Sequence, residues 1–399
     1  MNNILKRKID GLENEIKAFS FQLRDFKLDN NNIQQLSDMI KLEMIHLNFD
    51  EIKTDDIGNI IGIIKGYKEG GESLVLISNI DLPITDNDDE LDEDYDKFEN
   101  DKAGILTSLY SGALIKRALA MLNGDLIITC NFRKSCCSFG VKHLFKHTLK
   151  DKAIKGVILC EPTNFNINIG NKGRLEYEII VRNSLSKKKL INKKESIVKK
   201  EVALLNFLNA YTDALPTDSE LGKSSLQVKN VKYENYACKK HQMEMHIQVD
   251  RFYIPSENRL AILNQAKKIT KEIYYEDENE IDSKIIDYDV QTLSGNIVKD
   301  ISEYLPWKME GYHEFVTKSL EVLKETKFDS SIKYWKNIIT EGSYIHGVLK
   351  IPTIGFGAGK YESTKKVSLS ELKTSIYGKC LIIYRQIGIP TFGWSDDEI

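Results

Sequence analysis

A chain of 399 residues with a formal net charge of −3 is long enough for two domains and carries no electrostatic footprint for nucleic acid or an anionic membrane. Apolar residues make up 41% and charged residues 29%, an ordinary globular balance, and no apolar run reaches the roughly 18–20 residues needed to span a bilayer. The N-terminus, MNNILKRKIDGLENEIKAF, has no signal-peptide core, so a cytoplasmic location is expected. Six cysteines, two of them adjacent at Cys136 and Cys137, do not form a disulfide framework.

Residues 1–48 carry apolar side chains at helical spacing, among them Ile33, Leu36, Ile40 and Met44. FDEIKTDDIGNIIGIIKGY (49–67) reads as strand, turn at Gly58-Asn59, and returning strand. LVLIS (74–78) is a buried strand that runs into Asn79-Ile80-Asp81-Leu82-Pro83. Polar residues at the C-terminal end of such a strand stand where open α/β sheets place their sites. Nine acidic residues between Asp86 and Glu99 predict a solvated loop, with a cation-collecting loop as the alternative. Residues 102–123 predict a strongly amphipathic helix closed by Asn123-Gly124.

DLIITCNF (125–132), FGVKHLFKHTL (139–149) and GVILCEPT (156–163) then alternate strand, helix and strand. That order indicates a largely parallel sheet covered by helices. The texture changes near Gly173. RLEYEIIVRN (174–183), SSLQVKNVKYE (224–234) and MEMHIQVDRFY (243–253) alternate like half-exposed antiparallel strands. Between them lie a lysine-rich stretch (186–200) and a helix near 201–213, and after them a helix at 257–275. The pattern predicts a small α+β domain at 174–289, inserted between the two parts, 1–173 and 290–399, of the larger one. Beyond it come a helix at 310–325, the strand GVLKIPTIGFGAG (347–359) and a final helix at 368–387.

Six of these segments, in this order, resemble the di-zinc M-20 peptidases and amidohydrolases: aminoacylase, acetylornithine deacetylase, succinyl-diaminopimelate desuccinylase and carboxypeptidase G. FDEIKTDDIGNIIG is similar to that family's D..GNV hairpin, LISNIDLP to its GHxDxVP loop, and NDKAGILTSLYSGALI to its DxKGG helix start. CEPTNFNINIGNKGRLEYEIIV resembles its EPT strand and lid opening, VDRFYIPSEN its DRR..PGE strand, and GVLKIPTIGFGAG its GIPTIGFGPG strand. LGKSSLQVKNV further resembles the branch of selenium-metabolism-linked hydrolases. The likeness covers nearly the whole chain. It implies an α/β fold: a three-layer αβα zinc-exopeptidase-like domain with an inserted α+β, ferredoxin-like lid and dimerisation domain.

In that family a carboxylate bridges two zinc ions, histidines and carboxylates complete each site, and a glutamate deprotonates the bridging water. Carried onto this chain, the first histidine falls on Asn79, whose neutral amide oxygen is a poor zinc ligand, and its orienting aspartate on Asp81. The bridging carboxylate falls on Asn100, with Asp101 one residue further on. Lys134 and Ser135 replace the glutamate pair of base and ligand, beside Arg133, while Glu161 keeps the EPT ligand. The last histidine has no counterpart in Lys360–Val367, and the lid histidine falls near Ser186 or Lys187. None of the seven histidines (His46, His143, His147, His241, His246, His313, His346) is at a ligand position.

With these replacements the resemblance implies an inactive homologue, a pseudoenzyme without a cofactor, acting as a binding or partner subunit. It would form a homodimer, or a heterodimer with an active paralogue, through the lid, with a small molecule in the cleft. The alternative is an active zinc-dependent hydrolase of N-acyl amino acids or dipeptide-like substrates. Its rearranged site would use Asp81, Asp101, Glu161 and Cys136 or Cys137. A small-molecule sensor is a third reading. On their own, Asp81 and Glu161 read as relics or as holders of one cation, and the two cysteines as small fillers or thiolate ligands. His143 and His147, four apart on a helix, read as exposed surface or as a metal pair. Gly355, Gly357 and Gly359 read as a loop close to the site, and Thr163, Gly170 and Gly173 as turn and strand-edge geometry.

Overall fold

The computed structural model describes the chain apart from residues 27–31, 81–96, 99, 133–137, 185–186, 237–241, 275–278, 292–294, 361–365 and 391–399. It opens with α1 (Asn2–Asp10), α2 (Glu13–Asp25) and α3 (Ile33–His46). Each helix turns one apolar stripe inward, as with Ile16, Phe19 and Leu23 of α2 and Leu36, Ile40 and Met44 of α3. β1 (Glu51–Thr54) and β2 (Ile60–Ile64) form the expected hairpin. Asp55 holds its turn, accepting hydrogen bonds from the backbone of Ile57 and Asn59 and from the Asn59 side chain.

β3 (Ser73–Asn79), the short β4 (Lys97–Phe98) and α4 (Asn100–Arg117) follow. The expectation of a strongly amphipathic helix over 102–123 is corrected here. Every residue of α4 from Lys102 to Ile115 is buried, because the helix is covered on all sides. It ends at Arg117, and Leu119 takes a left-handed φ of 52° two residues on. β5 (Leu126–Asn131) leads to α5 (Phe139–His143), extended by a π-helical turn at Leu144–Thr148, and then to β6 (Ile154–Leu159) and β7 (Ile167–Asn171).

The chain then builds a second sheet. It contains β8 (Gly173–Ser184), then α6 (Lys187–Tyr211), a hairpin of β9 (Thr217–Asp218) and β10 (Gly222–Lys223), β11 (Ser225–Tyr236), β12 (Gln242–Tyr253), α7 (Arg259–Ile273) and β13 (Asn279–Ile285). The strands pair antiparallel in the order β11-β12-β8-β13. Tyr177, Ile179, Val181, Met245 and Ile247 on one sheet face pack with Leu204, Leu208 and Ile262 of α6 and α7 into a separate core. Alternation places charges such as Glu178, Arg182, Glu244 and His246 on the other face. The lysine-rich stretch is part of α6, so that helix starts well before the expected 201. A hairpin of β14 (Asp287–Gln291) and β15 (Ile297–Ile301) follows, and β16 (Glu303–Tyr304) pairs with β8.

The main sheet is rejoined at β17 (Trp307–Lys308), followed by α8 (Glu314–Glu325), β18 (Ile332–Trp335), α9 (Gly342–Ile345), β19 (Thr353–Gly355), β20 (Val367–Ser368) and α10 (Leu369–Ile387). Ser368 and Glu371 form a reciprocal capping box at the start of α10. The main sheet runs β1-β2-β5-β3-β6-β19-β7-β17, with β18 also on β7. α4 and α10 pack together against β3, and α9, with α5 beside it, packs against β19 and β7. The fold is α/β with a central sheet between helical layers. Among the described residues, no helix is long and apolar enough to cross a membrane.

Candidate functional site

Three neighbouring parallel strands, β5, β3 and β6, end side by side. Asn131 ends β5 and Asn79 ends β3, directly opposite each other in register. The preceding pair fixes which face they occupy. Ser78 Oγ donates to Cys130 Sγ (3.3 Å) and lies 3.5 Å from Ser108 Oγ of α4. Alternation along the strands therefore turns Asn79 and Asn131 to the opposite face. There Asn79 Nδ2 donates to Glu161 Oε1 at 3.0 Å, just past the end of β6. Glu161 is buried and Asn131 is only 1% exposed. Asn79 Oδ1 and both polar atoms of the Asn131 amide are buried with no hydrogen-bond partner among the described residues.

The surrounding backbone is tightly placed. A Cβ on Gly104, in the first turns of α4, would come within 2.5 Å of the Cys160 carbonyl, and one on Gly357 within 2.4 Å of the Glu161 carbonyl. Only glycine allows these approaches. Thr163 Oγ1 donates to the Gly357 carbonyl (3.2 Å) and accepts from its N–H (3.0 Å). The glycine-alternating loop thus lies against Glu161, as its sequence indicated. Asn59 makes a second brace that sequence reasoning missed. Its Oδ1 accepts from Phe132 N–H (3.0 Å) and its Nδ2 donates to the Gly140 carbonyl (2.9 Å). It therefore pins both ends of the segment that carries Lys134 and Ser135. The DDIGN spacing is the available signal, but on its own it marks a turn and not a brace to a segment 73–81 residues away.

Of the residues singled out from sequence, Asn79 and Glu161 are brought together. Asp81, Arg133, Lys134, Ser135, Cys136, Cys137, Ser186 and His241 lie outside the described residues. Asn100 and Asp101 open α4 and Lys187 opens α6, with their side chains likewise outside. His143 corrects the expectation of an exposed pair. Its side chain is half-buried, with Nδ1 3.3 Å from Asp55 Oδ2. Its ring lies 4.5 Å from that of His147, which is exposed. The remaining described histidines stand elsewhere. His46 lies beside Glu15 and Glu43, His246 beside Glu178 and Glu244, His313 at the cap of α8, and His346 against the Ile351 carbonyl.

Among the described residues, no three His, Cys, Asp or Glu side chains could jointly hold a metal ion. Among the described residues, the strand ends offer one carboxylate, already accepting an amide N–H, and two neutral amides. By themselves, these described donors do not make up the anionic and imidazole set that a pair of zinc ions takes. Behind the sheet, Lys379 of α10 is fully buried, its Nζ donating to Thr107 Oγ1 (2.9 Å) and Ser375 Oγ (2.8 Å). Burial holds its ammonium below the usual lysine range. Burial also pushes the Cys130 thiol up to about 12 and Cys160 up to about 11, so neither offers a thiolate nucleophile at neutral pH.

No family model matches the chain. YgeY, an uncharacterized protein of Escherichia coli K12, is 24% identical over 337 residues, covering 80% of this chain and 81% of YgeY. Among solved structures, the chain is similar to a putative aminohydrolase from methicillin-resistant Staphylococcus aureus, with a TM-score of 0.71 and 14% identity over 97% of this chain and 100% of that one. It is also similar to aminopeptidase PepT of Bacillus cereus, with a TM-score of 0.68 and 14% identity over 94% of this chain and 98% of PepT. YxeP of Bacillus subtilis, a dinuclear metal-binding peptidase of the M20 family, gives a TM-score of 0.64 and 11% identity over 94% and 98%. The fold is that of the M20 peptidases and amidohydrolases.

Proposed function

We propose that this chain is a non-hydrolytic relative of the M20 peptidases and amidohydrolases, a pseudoenzyme that binds a small amide-bearing molecule in its cleft. The contact between Asn79 and Glu161 carries the reading. An amide at the first ligand position could serve a metal only through its oxygen. Here its N–H faces the Glu161 carboxylate and its oxygen is turned away. By the resemblance, Lys134 and Ser135 replace the glutamate pair, beside Arg133, which removes two negative charges from the expected ligand set and adds positive ones. Loss of a general base alone costs about 10²–10⁴-fold in rate. The structural neighbours include an aminopeptidase and a peptidase, which supports short peptides as the ligand class, and the family resemblance adds N-acyl amino acids.

The same reading makes the chain one half of an assembly built through the second sheet, with its own copy or with an active paralogue. β11 is a long edge strand of that sheet, and the exposed Tyr233 on it and Val202 and Phe207 on α6 support this. The test is an amidase assay in zinc, cobalt and manganese on dipeptides, tripeptides and N-acetyl amino acids, paired with calorimetric titration. Binding of at least one of them without turnover is expected. Metal-dependent turnover that a chelator abolishes would overturn the reading in favour of a hydrolase using Asp81, Asp101 and Glu161.

A further inference from the structure

We propose that Asn79 and Asn131 together hold an intact amide bond of the ligand, at the ends of β3 and β5. The inference rests on the ligand-binding reading above and adds which atoms recognise the ligand. Buried side-chain polar atoms nearly always have partners, and one left unpaired costs about 1–3 kcal/mol. Here three such atoms belong to two side chains directly opposite each other in register: Asn79 Oδ1, Asn131 Oδ1 and Asn131 Nδ2. Ser78 and Cys130 face α4, so the two asparagines share the opposite face with Glu161.

The orientation of Asn79 is fixed, because only its N–H can pair with a carboxylate oxygen. With Nδ2 engaged toward Glu161 on the β6 side, Oδ1 is an acceptor turned away from that carboxylate. On the other side of β3 lies β5, with the uncommitted Asn131 amide. The complement to this pair must donate to Asn79 Oδ1 and accept from Asn131 Nδ2. A secondary amide does both, its N–H donating to Asn79 and its carbonyl accepting from Asn131.

Other chemistries fit less well. A carboxylate brings no donor for Asn79 Oδ1 and is repelled by Glu161. A single cation cannot take Asn79 Oδ1 and Glu161 together while the hydrogen bond between those residues stands. An ester lacks the N–H. Neither asparagine is a nucleophile or a base, so the amide is held and not cleaved.

The test is calorimetric titration of the full chain with N-acetyl amino acids and with the matching O-acetyl hydroxy acids, in which an ester oxygen replaces the N–H. Wild type should bind an amide at least about ten-fold more tightly than its ester, the effect of leaving one buried acceptor unpaired. Asn131→Leu should lose at least about ten-fold in amide affinity, while its ligand-free melting temperature does not fall, since no partner is stranded. Asn131→Ala repeats the measurement with a smaller side chain, should leucine disturb packing.

Equal affinity for amide and ester, or unchanged affinity in both variants, would overturn this inference and leave the ligand-binding reading intact. Hydrolysis of the amides by wild type would overturn the reading itself. Failure of wild type to bind any compound in either series would overturn this inference, and failure to bind the dipeptides and tripeptides as well would overturn both.

Discussion

Lys379 is fully buried between α4 and α10, and its ammonium faces Thr107 from one helix and Ser375 from the other, over the Phe356 ring. The ionisable groups that act on it are the thiols of Cys160 and Cys380, and burial outweighs both. The amine therefore titrates below its ordinary value of 10.5. Between the lowered value and 10.5, unfolding takes up a proton. Stability then climbs as pH rises through that window and is lost as pH falls through the folded value. Lys379→Met should flatten this slope and raise stability at neutral pH by about 1–3 kcal/mol, because the buried ammonium is held by two hydroxyls and faces no carboxylate among the described residues. Urea unfolding at neutral and alkaline pH measures both effects. Parallel slopes for wild type and variant would show that the amine does not titrate in this way.

At the scale of elements, alternation was readable in the second sheet, whose strands turn one face to a core and the other to charges. The hairpin of β1 and β2, the alternating strands β8, β11 and β12, and the final helix α10 fall where their periodicity placed them. α4 does not, because a helix covered on every side carries no stripe to mark its face, and its end at Arg117 is set by packing. α6 begins within a lysine run that composition reads as solvated surface. This helix and β11 form the edge to which the assembly is assigned. Sedimentation at tens of micromolar should show a species larger than the monomer, alone or with an active paralogue. Charges at Phe207 and Tyr233 (Phe207→Lys with Tyr233→Lys) should return it to monomer. A wild-type monomer under both conditions would remove the assembly from the account.

The whole molecule joins two sheets with two cores. The crossover between them is anchored at Asn171, whose Oδ1 accepts from Trp307 Nε1 (2.7 Å) and Thr340 Oγ1 (2.6 Å) and whose Nδ2 donates to Ser343 Oγ (3.2 Å). That network fixes where β17 returns to the main sheet, and its members are far apart in sequence, so no local pattern announces it. The candidate site was legible for the same reason in reverse. Asn79 and Glu161 each follow a buried strand, and motif order alone brought them together. Asn131 was not legible, because a polar residue ending a buried strand becomes informative only once its neighbours in register are known.

On the proposed function, these strand ends have exchanged metal ligation for hydrogen bonding. Elemental analysis tests it most directly, on protein purified in excess zinc and then dialysed against metal-free buffer. Zinc well below one equivalent per chain is expected. Two tightly held equivalents per chain would contradict it.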